Sequence, residues 1–358
     1  MEVSENLIVS RSSPRLLSLN VFMRQILEAH INMIDSKFAK PVLSINDLRT
    51  YFQTQDGIAK AVDGVSYNVY PGETVGIVGE SGCGKSVTAA SILRLIPIPP
   101  GKIVSGKILF EGQNLLDLPL SKMRHIRGNR ISMIFQEPMT SLNPVFTIGN
   151  QLTKVFRLHQ NLSGKAARQK AVDILAECEI SSPERILKSY PHELSGGMRQ
   201  RAMIAMALGC NPAVLIADEP TTALDVTIQA QIMDLILRLK EKFEMSMILI
   251  THDLGVIAKT AQRVVVMYAG EKVEEADVLT LFETPAHPYT IALMQSLPVF
   301  GRRQKFLAEI KGVVPPPYRE ITGCKFADRC PEMIAQCKDA RPQLKEIKKG
   351  HLVACIRR

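Results

Sequence analysis

The chain has no tryptophan among its 358 residues, and only 5% of it is aromatic. No run of basic residues is interleaved with stacking rings, so the usual platform for single-stranded nucleic acid is missing and no nucleic-acid partner is expected. Lys and Arg exceed Asp and Glu by 44 to 35, giving +9 spread along the chain with some crowding at Lys345, Lys348, Lys349, Arg357 and Arg358. That charge alone would also suit an anionic membrane surface or a nucleotide. Nowhere do about eighteen apolar residues run together, as a membrane-spanning helix requires. Asn20, Arg24 and Gln25 interrupt the apolar residues near the start, so no continuous secretory leader is expected. Cysteines are few and unevenly placed, with Cys324, Cys330, Cys337 and Cys355 crowded near one end. A cytosolic chain should not hold these as disulfides, which makes a metal the first alternative.

The composition that remains, 46% hydrophobic and 22% charged, describes a soluble globular protein of about two or three structural units. Its organising stretch is Gly79-Glu80-Ser81-Gly82-Cys83-Gly84-Lys85-Ser86, which follows the apolar run Thr74–Val78 and fits G-x-x-x-x-G-K-[ST]. The glycines let backbone N–H groups and a helix start near Lys85 face phosphate oxygens. Lys85 would then reach the β- and γ-phosphates, and the Ser86 hydroxyl would ligate Mg²⁺. Cys83 occupies a variable slot as a small residue.

Residues 1–40 carry apolar positions near helical spacing, an amphipathic helix that could dock on a partner or a membrane surface or be a dispensable extension. From Val42 to Val69 short β-like runs alternate with turns and predict a small antiparallel sheet. Phe52, with Tyr51 as its neighbouring alternative, could stack on an adenine face or simply pack in the core. Pro97-Ile98-Pro99-Pro100-Gly101 breaks the chain, and Ile131–Phe135 reads as a buried strand ending at Gln136, whose amide could ligate Mg²⁺, orient water or be structural. A mostly helical insert covers about 140–208, with breaks at Leu162-Ser163-Gly164 and Ser181-Ser182-Pro183. Within it, Ser195-Gly196-Gly197 at a helix start makes a second anion nest.

Ala213–Glu219 is an apolar strand ending in two carboxylates. Asp218 suits Mg²⁺ and Glu219 suits activation of an attacking water, since one buried carboxylate could hardly serve both. Ser246–Ile250 is a further strand, and His252 just beyond it could donate to the γ-phosphate. Val264–Met267 is expected to be the last core strand, after which Pro315-Pro316-Pro317 reads as a semi-rigid linker.

In order and spacing these motifs resemble those of the ATP-binding subunits of ABC transporters: phosphate loop, Q-loop Gln136, signature Leu194–Met198, Walker B Asp218 with Glu219, D-loop Asp225 and switch His252. Tyr190–Arg201, Thr221–Thr227 and His287-Pro288-Tyr289 are similar to the dipeptide, oligopeptide and nickel importer branch. The resemblance implies an α/β P-loop NTPase over 41–288, a RecA-like core with an antiparallel β subdomain and a helical insert, followed by a cysteine-bearing extension over 289–358. It further implies ATP and Mg²⁺ as cofactors and two ATPase subunits closing head to tail, the second expected to be a related but distinct chain. Two permeases and an extracytoplasmic binding protein would complete an importer, with this subunit peripheral on the cytoplasmic face of the inner membrane. Uptake of nickel or another solute, and a soluble ABC ATPase acting on nucleic acid or ribosomes, are the alternatives. The spacing C-x5-C-x6-C-x17-C lacks the close pairs of zinc ribbons, and the resemblance favours a [4Fe-4S] cluster over Zn²⁺ or free thiols. His351 stands as a substitute ligand, with a solvated surface histidine the simpler expectation.

Overall fold

Leu43–Thr54 (β1) and Gly57–Val69 (β2) form a long antiparallel hairpin in the computed structural model, which describes residues 40–136, 141–221, 225–296 and 309–358. The expected amphipathic helix over 1–40 lies outside the described residues except for Lys40. Gly101–Phe110 (β4) and Gln113–Asn114 (β5) complete a four-stranded sheet in the order β2-β1-β4-β5.

Thr74–Val78 (β3), Ile131–Ile134 (β6), Val214–Asp218 (β7) and Ser246–Ile250 (β8) form the parallel heart of an eight-stranded sheet. Every residue of β3, β7 and β8 is buried. These strands are covered on both faces, which is why they read as unbroken apolar runs rather than alternating ones. Their carboxyl ends share one edge, where ligands bind in open parallel sheets. Helices Lys85–Ile92 (α1), Ile148–Gln160 (α2), Gly164–Glu177 (α3), Gly196–Leu208 (α4), Val226–Lys242 (α5), Leu254–Thr260 (α6) and Pro288–Gln295 (α7) connect or flank the strands. Thr147, Ser163 and Ser195 accept N-terminal amides of α2, α3 and α4, so each of these three helices starts on a side-chain cap.

Beyond Arg263–Tyr268 (β9) the sheet does not end, contrary to expectation. Glu271–Asp277 (β10), His351–Val353 (β12) and Lys345–Lys348 (β11) extend it antiparallel. The charged letters of β10 hide a strand because its acids are paired. Fully buried Glu274 accepts the amides of Ala286 and His287 at 2.8 and 2.9 Å and faces His351 Nε2 at 2.7 Å. Glu275 pairs with Arg263 and Lys272. His351 is therefore no solvated surface histidine. It is 2% exposed and docks the chain's last strand onto β10. Of the three prolines read as a linker, Pro317 accepts the Lys60 amide of β2 at 2.8 Å.

Asp63 of β2 fastens the same region. It accepts from the Tyr51 hydroxyl at 2.8 Å, Arg49 at 3.3 Å, Arg341 at 2.8 Å and Lys325 at 3.5 Å. Burial works against its ionisation, but the Tyr51 hydroxyl, Lys325 and Arg341 outweigh it and hold the carboxyl down at about 2. A carboxylate favoured in the folded state contributes stability above its ordinary value of 3.8, lost as pH falls through about 2. The contribution is about 2 kcal/mol near neutrality, of which about half is gone by pH 3. Asp63→Asn should therefore lower denaturant stability by about 2 kcal/mol at pH 7 and by about half that at pH 3. A loss equal at both pH values would show that charge is not what Asp63 contributes.

Candidate functional site

At the carboxyl end of β3 the chain turns sharply into α1. Two glycines make the turn possible for reasons of protein packing as well as of ligand access. Gly79 has φ +149°, and a Cβ there would lie 2.2 Å from the Met267 carbonyl oxygen; Gly84 has φ +100°, and its Cβ would lie 2.2 Å from that of Ala61. Lys85 is 6% exposed, and its ammonium donates to the carbonyls of Gly79 and Glu80 at 2.7 and 3.0 Å, so its charge stands inside the curl of the loop. Cys83 is fully buried beneath, its Sγ 3.7 Å from Lys85 Nζ, while Ser81, Gly82 and Ser86 lie on the open side.

Ser86 Oγ donates to Asp218 Oδ1 at 3.0 Å. Asp218 is 4% exposed, and its carboxyl is pushed up by burial, with the Ser86 hydroxyl opposing. Two hard oxygens side by side, one on a carboxylate that burial penalises, fit a magnesium ion by donor type. Next in sequence, Glu219 adopts φ +46° and donates its amide to the Ile250 carbonyl at 2.9 Å, which pins it between the ends of β7 and β8. A non-glycine residue in that conformation is held there by its surroundings at some cost. Its carboxylate accepts from Gln136 Nε2 at 2.9 Å and stands 3.6 Å from His252 Nδ1. The structure thus gathers Lys85, Ser86, Asp218, Glu219, Gln136 and His252, drawn from four strand ends, along one edge.

Ser195, Gly196 and Gly197 are elsewhere. Ser195 caps α4 by accepting the Met198 amide at 3.3 Å, and Ser195 and Gly196 are exposed. Among the described residues no hydrogen bond or ion pair joins 195–198 to 79–86. Asp225 caps α5 through the Ile228 amide at 2.9 Å, while the preceding residues 222–224 lie outside the described residues. The Phe52 ring packs with Ile96 against Gly101, beyond the far end of α1. The Tyr51 hydroxyl donates to Asp63.

Three residues to which the sequence assigns no role join the site's frame. The buried Gln200 of α4 donates to the Pro220 carbonyl, tying the helix of the exposed nest to the turn after Glu219. Tyr289 and Arg329 both reach Glu80. Gln200 and Tyr289 carried a signal, as parts of the Tyr190–Arg201 and His287-Pro288-Tyr289 wording; Arg329 carried none.

Cys324, Cys330, Cys337 and Cys355 line a single small cavity with Phe326 and His287, and the Cys324 amide donates to the Cys337 carbonyl at 2.8 Å. Burial pushes the Cys324 thiol up to about 11, and the neighbouring cysteines push the same way. Thiolates in that cavity would need a compensating cation. Among the described residues no three His, Cys, Asp or Glu side chains are drawn together as a single metal ion would draw them.

Comparison with known proteins follows the same division of the chain. Residues 62–222 match the family described as "ABC transporter", and residues 273–337 match "Oligopeptide/dipeptide transporter, C-terminal region". The relative named "Probable peptide ABC transporter ATP-binding protein y4tR" from Sinorhizobium fredii is 55% identical over 317 residues, covering 88% of this chain and 95% of its own length. "Oligopeptide transport ATP-binding protein AppD" from Bacillus subtilis is 52% identical, covering 88% and 96%. Among solved structures, the dimeric post-hydrolysis state of the ATP-binding cassette MJ0796 bound to ADP and Pi superposes with a TM-score of 0.59 at 28% identity, covering 66% of this chain and 98% of that one.

Proposed function

The chain belongs to the ATP-binding subunits of peptide ABC transporters, and from that premise we propose that it hydrolyses ATP to drive uptake of di- or oligopeptides through a membrane importer. The observation that carries this reading is the assembly of Lys85, Ser86, Asp218, Gln136, Glu219 and His252 along one sheet edge, in a chain that also bears the oligopeptide C-terminal region. Glu219 takes the proton of the attacking water, Gln136 and His252 orient it and meet the γ-phosphate, and Lys85 neutralises the terminal phosphates. Ser86 and Asp218 would hold magnesium, which when bound draws charge from the phosphate oxygens. Phe52, with Tyr51 as its neighbouring alternative, is the aromatic read as meeting the adenine face.

No helix among the described residues is long and apolar enough to cross a membrane. In this reading the work is passed to two membrane-spanning permease subunits. Phe135, Val145 and Phe146 lie exposed near Gln136 and the start of the helical insert, an apolar surface that suits that contact. We read the second ATPase as a related but distinct chain, the substrate as delivered by an extracytoplasmic binding protein, and the location as the cytoplasmic face of the inner membrane. A strain lacking this gene should lose uptake of a radiolabelled tripeptide. The wild-type gene should restore it and Lys85→Ala should not; restoration by Lys85→Ala would contradict the proposal.

The cysteine cavity takes a [4Fe-4S] cluster in this reading, because four irons accept one thiolate each at a wider spacing than a single zinc. The segment is poor in apolar residues, so the cluster would act as a structural staple. Anaerobically purified protein should be brown and contain iron and acid-labile sulfide, both lost in Cys330→Ser, Cys337→Ser. Stoichiometric zinc without iron would overturn the assignment.

A further inference from the structure

Glu80, the first variable residue of the phosphate loop, is met from two sides by the C-terminal part of the chain. Its amide donates to the Tyr289 hydroxyl at 2.8 Å, and its carboxylate receives both prongs of the Arg329 guanidinium at 2.7 and 2.9 Å. Arg329 also donates to the Tyr268 hydroxyl at 3.2 Å and to the carbonyls of Ile310 and Lys311 at 3.2 and 3.0 Å. Its side chain is 4% exposed and lies over the rings of Tyr268 and Phe326. A guanidinium with its donors engaged and its faces covered is fixed in place, as a lysine there would not be.

A carboxylate in this loop is electrostatically awkward, since the loop's task is to hold a polyphosphate and like charges repel over several ångströms. We infer that Arg329 and Tyr289 are positioning residues for the phosphate loop, Arg329 cancelling the Glu80 charge and Tyr289 fixing the loop's first peptide. The C-terminal extension thereby sets nucleotide affinity at this chain's own site. The inference rests on reading residues 79–86 as the ATP site. It also gives the cysteine segment a consequence for that site, because Phe326 and Arg329 both lie between Cys324 and Cys330.

The test is Mg-dependent binding of a fluorescent ATP analogue to the full-length chain, with turnover read in the assembled transporter. Arg329→Ala should weaken affinity by about tenfold or more and raise KM likewise, while kcat at saturating ATP changes by less than about twofold. In a Glu80→Gln background the same Arg329→Ala change should cost less than about threefold, because there is no longer a charge to cancel. Tyr289→Phe removes one oxygen and leaves the packing, so it decides the matter should Arg329→Ala fail to fold; it should weaken binding by about threefold. An equal Arg329→Ala penalty in both Glu80 backgrounds, a fall in kcat with affinity intact, or unchanged binding in Tyr289→Phe would overturn the inference. Unchanged binding in Lys85→Ala would instead sink the nucleotide-site reading beneath it.

Discussion

Glu219→Gln is expected to leave Mg-ATP affinity within about twofold while phosphate release by the assembled transporter falls by about a hundredfold or more. The amide has the shape of the carboxylate and keeps an oxygen to accept from Gln136, which now donates at 2.9 Å, so the bound geometry should survive. The main-chain constraint survives too, because the φ of +46° and the amide bond to the Ile250 carbonyl do not depend on the side chain's charge. What is lost is the base. No neighbour replaces it: Asp218 is committed to Ser86 and the magnesium position, and Gln136 and His252 are placed to orient rather than to carry a negative charge. Phosphate release under saturating Mg-ATP, with the native partner subunit present, checks this. Near-parental turnover would assign the base to another group.

Gly197→Asp should abolish ATP-driven closure of the ATPase pair, with transport reduced by about a hundredfold or more, and should spare nucleotide binding at this chain's own loop. The expectation comes from where the second nest stands. Ser195 and Gly196 are exposed, and within the chain the nest makes no polar contact with the phosphate loop among the described residues, which leaves it open to an anion held by a second subunit. Gly197 tolerates a side chain in the isolated subunit: a Cβ there meets only Ile228 Cγ2, at an ordinary 3.7 Å. An aspartate therefore need not disturb the fold, yet it sets a negative charge against a γ-phosphate presented by the opposite subunit. Analogue binding by the variant chain and ATP-dependent pairing with its partner separate the two effects. A loss of binding as severe as in Lys85→Ala would refute the composite site.

The site was legible in the sequence where local chemistry forces local structure. Gly79 and Gly84 admit few alternatives at their φ values, the fully buried parallel strands must be apolar throughout, and the groups they carry fall at strand ends. Legibility failed where partners distant in sequence change what a residue means. The charges of β10 disguise a strand whose Glu274 and Glu275 are paired by His351, Arg263 and Lys272, so the sequence reads as if the sheet ended at β9 and His351 stood on the surface. The choice between Tyr51 and Phe52 is hidden for another reason. The β1–β2 register shifts between Thr50 and Phe52, so simple alternation does not say which of Tyr51 and Phe52 faces β2's Asp63. The reach of Arg329 to Glu80 spans most of the chain and leaves no local pattern at all.

The central claim, that ATP hydrolysis at Glu219 is coupled to peptide movement, is tested most directly in proteoliposomes holding this chain, its partner ATPase and the two permeases. Phosphate release and uptake of a labelled tripeptide would be measured together as peptide-loaded binding protein is added. The account predicts that both rise with the loaded binding protein and that both are lost in Glu219→Gln. Phosphate release indifferent to the peptide, with no uptake above that of liposomes lacking ATP, would contradict it.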